Sequence, residues 1–168
     1  MNTIDAFYKY ENIIKSLDEN GAFLTVKSRE GKLNSMTIGW ALLGIMWRKP
    51  ILMVAVRPSR YTFELIENAD DFTVTFPYSD VSKQLTFFGT HSGRSMDKFK
   101  ESGLTTLASK NVKSPIIDIK DSRSYECKIV QKTAMDKDRL DLQYNQMVYQ
   151  DNIYHTYFFG EVVACYEM

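Results

Sequence analysis

The chain has 168 residues, of which 44% are hydrophobic and 25% charged, and its 21 basic side chains are balanced by 21 acidic ones. This length predicts one domain over residues 1–168, with its core at about 22–166. The balanced charge argues against a nucleic-acid partner, which needs an excess of positive charge, and the composition is that of a globular protein, not a disordered or membrane-embedded one.

The first predicted elements are a short helix and a hairpin. A helix is expected over about 9–17. From Ala22 the hydrophobic period changes to two, and a turn at 30–32 separates this strand from a second one over 36–43. These segments predict an antiparallel pair at the start of the domain.

Two more strands and a helix follow. The apolar run Ile51–Val56 lies between two prolines, which is typical of a strand buried on both faces. The segment Phe72–Phe76 alternates and ends at a proline. Between these strands, a helix over about 60–69 is predicted with Ser59 as its cap.

The rest of the chain predicts short helices and then strands. One helix is expected from about Asp80 to Phe88, and another begins with Ser95 as its N-cap, has Asp97 in its first turn and ends at Gly103. The segment 132–141 has mixed charge and is interpreted as a solvated face. The predicted strands of this part are 116–119, 125–133 and 153–166.

Six or more strands with short intervening helices predict a β-dominated α+β fold. Such a pattern is consistent with a closed or partly open antiparallel barrel.

The sequence lacks the motifs of several common classes of enzyme and binding site. There is no Gly-rich dinucleotide fingerprint, no phosphate-binding loop and no nucleophile elbow. Cys127 and Cys165 have neither metal-site nor disulfide-framework spacing, and His91 and His155 are too few for a His-rich metal site. The N-terminus lacks signal-peptide features, and the longest apolar run is too short to cross a bilayer. We therefore expect a cytoplasmic protein without a metal ion or a membrane partner.

The segment 57–62 is a candidate phosphate site. It supplies two guanidinium groups, Arg57 and Arg60, together with Ser59 and Thr62 at the start of a helix, where backbone N–H groups are free. The alternative is an ordinary helix cap with solvated arginines, and this segment alone favours the alternative.

The segment 89–99 is a candidate ligand loop. Its two glycines allow a close approach of the backbone to a ligand, and it leads into a helix. A flexible surface loop before a capped helix explains the segment equally well.

The segment 34–40 could meet a flat heterocycle. The small polar residues Asn34, Ser35 and Thr37 flank Met36, and Trp40 follows closely. A turn with a mildly polar strand is the alternative, and it is favoured when this segment is considered alone.

Taken together, these segments resemble the flavin reductase-like family of FMN-binding split barrels, which includes flavoredoxin. The resemblance spans about 22–163. Its matching pieces, in chain order, are Asn34-Ser35-Met36-Thr37 with Trp40, Trp47-Arg48-Lys49-Pro50, Arg57 through Thr62, Phe72 through Pro77, Ser92-Gly93-Arg94, Asp97-Lys98-Phe99, and Phe159 through Val163.

The resemblance implies a homodimer of six-stranded, Greek-key-like split barrels with FMN near the subunit interface. It places Asn34, Met36 and Thr37 along the isoalloxazine ring and ribityl chain. Ser59, Arg60 and Thr62 would hold the phosphate, while Ser92, Gly93 and Lys98 would close the pocket. One position departs from the family pattern, because Phe88 stands where many relatives have a cysteine.

Two functions follow from this resemblance. In one, bound FMN accepts a hydride from NADH or NADPH and passes electrons onward, or acts on another small molecule. In the other, the protein is an FMN-binding electron carrier that takes electrons from a reduced redox protein, without significant NAD(P)H turnover. His91 is expected to face solvent, and His155, inside a predicted strand, is expected to be a packed or hydrogen-bonded barrel residue.

Overall fold

The computed structural model describes residues 1–168 and contains ten strands and five α-helices. The strands are β1 (Asn2–Thr3), β2 (Ala22–Lys27), β3 (Leu33–Ile38), β4 (Ala41–Met46), β5 (Lys49–Val56), β6 (Asp71–Pro77), β7 (Thr106–Leu107), β8 (Ile116–Ile117), β9 (Ser122–Ala134) and β10 (Thr156–Glu167). The helices are α1 (Tyr10–Glu19), α2 (Tyr61–Glu67), α3 (Ser82–Thr90), α4 (Lys98–Ser102) and α5 (Leu142–Val148), and a 3-10 turn lies at Lys137–Arg139. None of the helices combines the length and hydrophobicity needed to cross a bilayer.

Seven strands form an antiparallel sheet in the order β3-β2-β6-β9-β10-β5-β4, and β1 adds an eighth strand by pairing with β10. The two ends of this order, β3 and β4, are not hydrogen-bonded to each other, so the barrel is split. The predicted β-dominated split barrel is confirmed, with eight strands in the sheet where six were expected.

The additional strands have a local cause. The predicted strand 36–43 is interrupted at Gly39 and Trp40, and the chain then continues as β4, the hairpin partner of β5. The Trp40 carbonyl accepts a hydrogen bond from the Ala55 N–H at this corner. β1 has two residues, too few for a hydrophobic period to be detected.

Two hydrophobic clusters organise the fold. The larger one fills the barrel and includes Phe72, Val74 and Phe76 of β6. The smaller one joins α3 to the outer face of β2 and contains Phe23, Leu85, Phe88, Ile117 and Ile119. The Phe88 ring is fully buried, 5.4 Å from the Phe23 ring and 5.5 Å from the Phe99 ring in edge-to-face contacts. Phe88, which departs from the family pattern, therefore serves as a packing residue between α3 and its neighbours.

Two predicted helix caps are wrong. Arg60 is the N-cap of α2, and the Ser59 side chain makes no capping bond. Helix α4 is capped by Asp97, whose Oδ1 accepts from the N–H groups of Phe99 and Lys100, while the Ser95 hydroxyl donates to the Ser92 carbonyl. Asp97 has extended backbone angles directly before the first helical residue, which is the geometry that a cap requires.

The connection between β9 and β10 contains α5, which the charge pattern did not predict. Asp141 caps this helix through the Gln143 N–H. The connection is held to the barrel by Arg57, which forms an ion pair of 2.7 Å with Asp151 and donates to the Val148 carbonyl at 2.9 Å. One residue at the end of β5 thus fixes the position of a long surface segment.

Two buried carboxylates hold the loop at 109–115 against the barrel. Asp71 accepts hydrogen bonds from the N–H groups of Lys113 and Ser114. Glu126, fully buried, accepts from the N–H groups of Lys110 and Asn111, both at 2.8 Å, and from the Asn111 amide at 2.9 Å. These bonds satisfy backbone donors that would otherwise lose their partners on burial.

We predict that Glu126→Gln lowers the free energy of unfolding by about 1–3 kcal/mol, because an amide NH₂ would face a buried N–H donor. Denaturant unfolding measures the change. Lys128→Gln, an exposed substitution on the same strand, is the matched control and should change stability by less than about 0.5 kcal/mol. Equal stabilities for the two variants would contradict the clamping role of Glu126.

Candidate functional site

Two adjoining cavities lie where β3 approaches the end of β5. The central cavity has a volume of about 260 Å³ and the basic cavity about 120 Å³. The central cavity is lined by Met36, Thr37, Ile38, Gly39, Trp40, Ala55, Arg57, Arg60, Gly89 and His155. The basic cavity is lined by Asn34, Met36, Ser59, Arg60, Tyr61, Thr62, Thr90, His91, Ser92, Gly93, Arg94 and Lys98. Both are lined by Met36 and Arg60, so the two cavities are neighbours and are treated as one candidate site.

A larger polar groove of about 790 Å³ lies beside α1. It contains none of the residues that the sequence predicted to bind a cofactor. All three candidate segments instead meet at the two smaller cavities.

Two cations without carboxylate partners face the basic cavity. Arg60 Nη2 donates to the Gly89 carbonyl at 2.5 Å, and Lys98 Nζ donates to the Phe88 carbonyl at 3.0 Å. Neither side chain takes part in an ion pair. Lys98 is only 3% exposed, and burial, together with the charge of Arg60, lowers its pKa to about 8. Burial also lowers the pKa of Arg60.

The other two arginines at the site are neutralised. Arg94 forms an ion pair with Glu64 and donates to the Ser59 carbonyl at 3.3 Å. Arg57 is paired with Asp151. The net positive charge available to a ligand therefore comes from Arg60 and Lys98.

The loop at 89–97 is fixed by close contacts with the barrel. Asn34 Nδ2 donates to Thr62 Oγ1 at 2.8 Å, which ties β3 to α2. A Cβ added to Gly93 would lie 2.9 Å from Tyr61 Cδ1 and closer still to the Asn34 amide oxygen. No larger residue fits at position 93 without displacing these groups.

Strand β3 divides its residues between two faces. Asn34 and Met36 line the cavities, whereas the Ser35 hydroxyl donates to the Leu24 carbonyl at 3.0 Å and accepts from Thr25 Oγ1 at 3.1 Å. Thr37 borders the central cavity, and its hydroxyl donates to the Leu85 carbonyl of α3 at 2.5 Å. Of the predicted site residues, Ser35 alone borders neither cavity, and its hydroxyl is engaged by groups of β2 instead.

His155 is a residue of the site that the sequence did not predict there. It was predicted to be a packed or hydrogen-bonded residue inside a strand. The hydrogen bond is present, but β10 begins one residue later and His155 lines the central cavity. Its ring centroid lies 4.5 Å from that of Trp40, and its Nδ1 lies 2.8 Å from Tyr149 Oη. Burial is the main cause that lowers its pKa to about 4, and the charge of Arg57 adds to it. The one sequence signal that could have indicated this role is a histidine close to the start of a predicted strand.

The arrangement suits an anionic group bound next to an uncharged planar one. Met36, Ile38, Trp40 and Ala55 give the central cavity apolar walls, and the two free cations lie at its basic end. No group of three or more His, Cys, Asp or Glu side chains is placed to hold a metal ion.

Comparison with known proteins identifies the family. Residues 17–168 match the family model described as "Flavin reductase like domain". An uncharacterized protein of Archaeoglobus fulgidus is 33% identical over 122 residues, which cover 72% of this chain and 67% of that relative.

Two solved structures show the same fold. A flavoredoxin from Methanosarcina acetivorans superposes with a TM-score of 0.65 at 27% identity, over 88% of this chain and 67% of that one. An FMN-binding protein from Thermus thermophilus, solved with bound 1-cyclohex-2-enone, gives 0.67 at 22% identity, over 99% of this chain and 77% of that one. The chain therefore belongs to the flavin reductase-like domain family, as its sequence motifs predicted.

Proposed function

We propose that this protein is an oxidoreductase that binds FMN, with the phosphate in the basic cavity and the flavin ring in the central cavity. Its family membership and its similarity to a flavoredoxin support a flavin-binding redox protein. The observation that carries the more specific proposal is the pair of neighbouring cations, Arg60 and Lys98, that lack carboxylate partners.

The residues present fit a phosphate monoester. Desolvated positive charges are costly unless a negative charge compensates them, and a phosphate dianion supplies that charge. A volume of about 120 Å³ suits a single terminal phosphate group. The hydroxyls of Ser59 and Ser92 and the backbone at Gly93 border this cavity and would complete the phosphate contacts.

The central cavity would orient the flavin ring. FMN supplies the electron and hydride chemistry when bound, so the protein needs no nucleophile or general base of its own. Met36 and Trp40 would exclude water from the ring, and Arg57 and His155 border it with polar groups. NADH or NADPH is the proposed electron donor. The alternative is an electron carrier with little NAD(P)H turnover. The similarity to a flavoredoxin supports this alternative.

We predict that Arg60→Ala weakens FMN binding by about 1–3 kcal/mol, roughly five- to 150-fold, because a charge-assisted contact to the phosphate is lost. Quenching of FMN fluorescence on titration measures the affinity. Arg139→Ala removes an arginine whose side chain is 87% exposed and borders neither cavity, and it should leave the affinity unchanged. Unchanged affinity in Arg60→Ala would refute the phosphate assignment.

The pH dependence of FMN affinity tests the second cation. Lys98, with a pKa of about 8, is charged below that pH and neutral above it. The phosphate is already a dianion above about pH 7, so FMN affinity should fall as pH rises through about 8. Lys98→Met should bind more weakly at pH 7 and lose this decrease. The same decrease in wild type and variant would exclude Lys98 as its source.

The electron donor is tested by anaerobic spectroscopy of the FMN-loaded protein. We expect the flavin absorbance to bleach within seconds on addition of NADH or NADPH. Bleaching only with dithionite or a reduced redox protein would favour the electron carrier instead. A protein that binds no FMN after reconstitution would refute both functions.

We further propose a homodimer that forms through the β4–β5 hairpin. This hairpin exposes large apolar side chains on both faces and at its turn, with Leu42 66%, Ile45 63% and Trp47 59% exposed. An apolar groove of about 570 Å³ beside it is lined by Gly39, Trp40 and Ala55, which also line the central cavity. A second copy on this surface would therefore cover the site from the side, as the family resemblance implies.

The oligomeric state is measured by sedimentation or by light scattering after gel filtration. We expect a dimer for the wild type and a monomer for Leu42→Lys, because Leu42 lines the apolar groove and a charge would enter that contact. Lys83→Glu, an exposed change on α3, is the control and should stay dimeric. A wild-type protein that is monomeric with FMN bound would contradict the proposed interface.

A further inference from the structure

The two ring nitrogens of His155 have different surroundings. Nδ1 lies 2.8 Å from Tyr149 Oη. Nε2 makes no hydrogen bond within the protein, and it is not among the buried polar atoms that lack partners. His155 is one of the residues that line the central cavity and Nε2 is not fully buried, so we infer that Nε2 faces that cavity.

The direction of the Tyr149–His155 hydrogen bond follows from the surroundings of the phenol. Tyr149 is 4% exposed, and His155 Nδ1 is the acceptor within reach of its hydroxyl, since the His155 backbone group that also contacts the phenol oxygen is an N–H donor. Burial raises the pKa of Tyr149, so the phenol keeps its hydrogen. A buried hydroxyl needs an acceptor, and Nδ1 is the one within reach, so Nδ1 accepts. A neutral imidazole whose Nδ1 accepts carries its hydrogen on Nε2.

The charged groups around the ring support its neutral form. Arg57, at the end of β5, disfavours a second positive charge, whereas Asp151, in the β9–β10 connection, favours one. Burial and Arg57 outweigh Asp151, and the pKa of His155 falls to about 4. The ring is therefore uncharged near neutral pH.

We propose that Tyr149 is a positioning residue that holds His155 as an Nε2–H donor directed into the central cavity, where this N–H binds an acceptor atom of the flavin ring. The tautomer follows from the structure of the protein alone, while the contact with flavin rests on the proposed function. An acceptor that gains electron density on reduction binds such a fixed donor more tightly in its reduced state. His155 would then favour reduced over oxidised FMN.

The position of Tyr149 depends on the tether that Arg57 provides. The Arg57 guanidinium lies 5.4 Å from the centre of the Tyr149 ring and also donates to the Val148 carbonyl. The neighbouring Tyr154 ring stacks on Tyr149 with 4.8 Å between centroids. The phenol is thus fixed from two sides, which makes its hydrogen bond to His155 directional.

Nitrogen NMR of the imidazole groups tests the tautomer directly. The chain has only two histidines, and His91→Gln assigns the signals. We expect apoprotein His155 to carry its hydrogen on Nε2 at neutral pH. In Tyr149→Phe, the Nδ1 resonance should move toward that of a nitrogen without a hydrogen bond. A hydrogen on Nδ1 in the wild type, or an unmoved Nδ1 resonance in the variant, would overturn the proposal.

Tyr154→Phe is the matched control. The Tyr154 hydroxyl donates to Asn145 Oδ1 at 2.9 Å and does not contact His155. This variant loses a hydroxyl from the same segment and should leave the Nδ1 resonance unmoved. If it shifts that resonance as much as Tyr149→Phe does, Tyr149 acts by general packing and the proposal is wrong. Thermal unfolding shows that each variant is folded.

The contact with flavin is tested by the reduction potential of bound FMN. Tyr149→Phe and His155→Phe should both shift it to more negative values, equivalent to a roughly two- to tenfold loss in the preference for reduced FMN. An unchanged potential in both variants would overturn the contact. A wild-type protein that binds no FMN would overturn the proposed function together with the contact, whereas the apoprotein resonances decide the tautomer independently.

Discussion

The curling of one sheet brings the two walls of the site together. β3 lies at one end of the strand order and β5 near the other, five steps away across β2, β6, β9 and β10. A strand twist of roughly 20–25° per step turns the ends of such a sheet toward each other. The central cavity forms between them, where the barrel is split. Its geometry therefore depends on every ladder in the sheet, above all on β10, which joins the two halves.

The repulsion between two cations at the basic cavity lowers the stability of the protein, and a bound anion can offset this loss. Lys98 and Arg60 are held on the carbonyls of Phe88 and Gly89, at the end of α3, and their charges oppose each other. A carboxylate partner would have neutralised these charges, as Glu64 neutralises Arg94 and Asp151 neutralises Arg57. Each cation donates one hydrogen bond to a carbonyl, which does not neutralise its charge. The remaining field attracts an anion to this cavity.

The sequence predicted the parts of the structure that depend on local pattern. Strand β5, the hairpin of β2 and β3, and the glycine that ends α4 follow from period and turn chemistry. The family motifs placed Asn34, Arg60 and Gly93 at one site, although the contacts among them link distant parts of the chain.

Other features could not be predicted because they arise from tertiary contacts. The break at Gly39 and Trp40 is stabilised by a bond to the opposite strand, and α5 keeps its place through Arg57. The residue types of Asn34 and Ser35 do not indicate which of them faces the site. Only the register of β3 in the sheet shows the face that each side chain occupies. His155 borders the cavity only because β10 begins one residue after it.

The contact of Gly93 with Asn34 and Tyr61 has a kinetic consequence for a cofactor. The loop that would surround the phosphate already rests on the barrel, so little conformational entropy remains to be lost when a ligand arrives. Association then requires diffusion and desolvation but no loop closure, and the residence time depends on the strength of a few ionic contacts. Small changes in those contacts would convert a tightly bound cofactor into one that dissociates and exchanges, without a change in the fold.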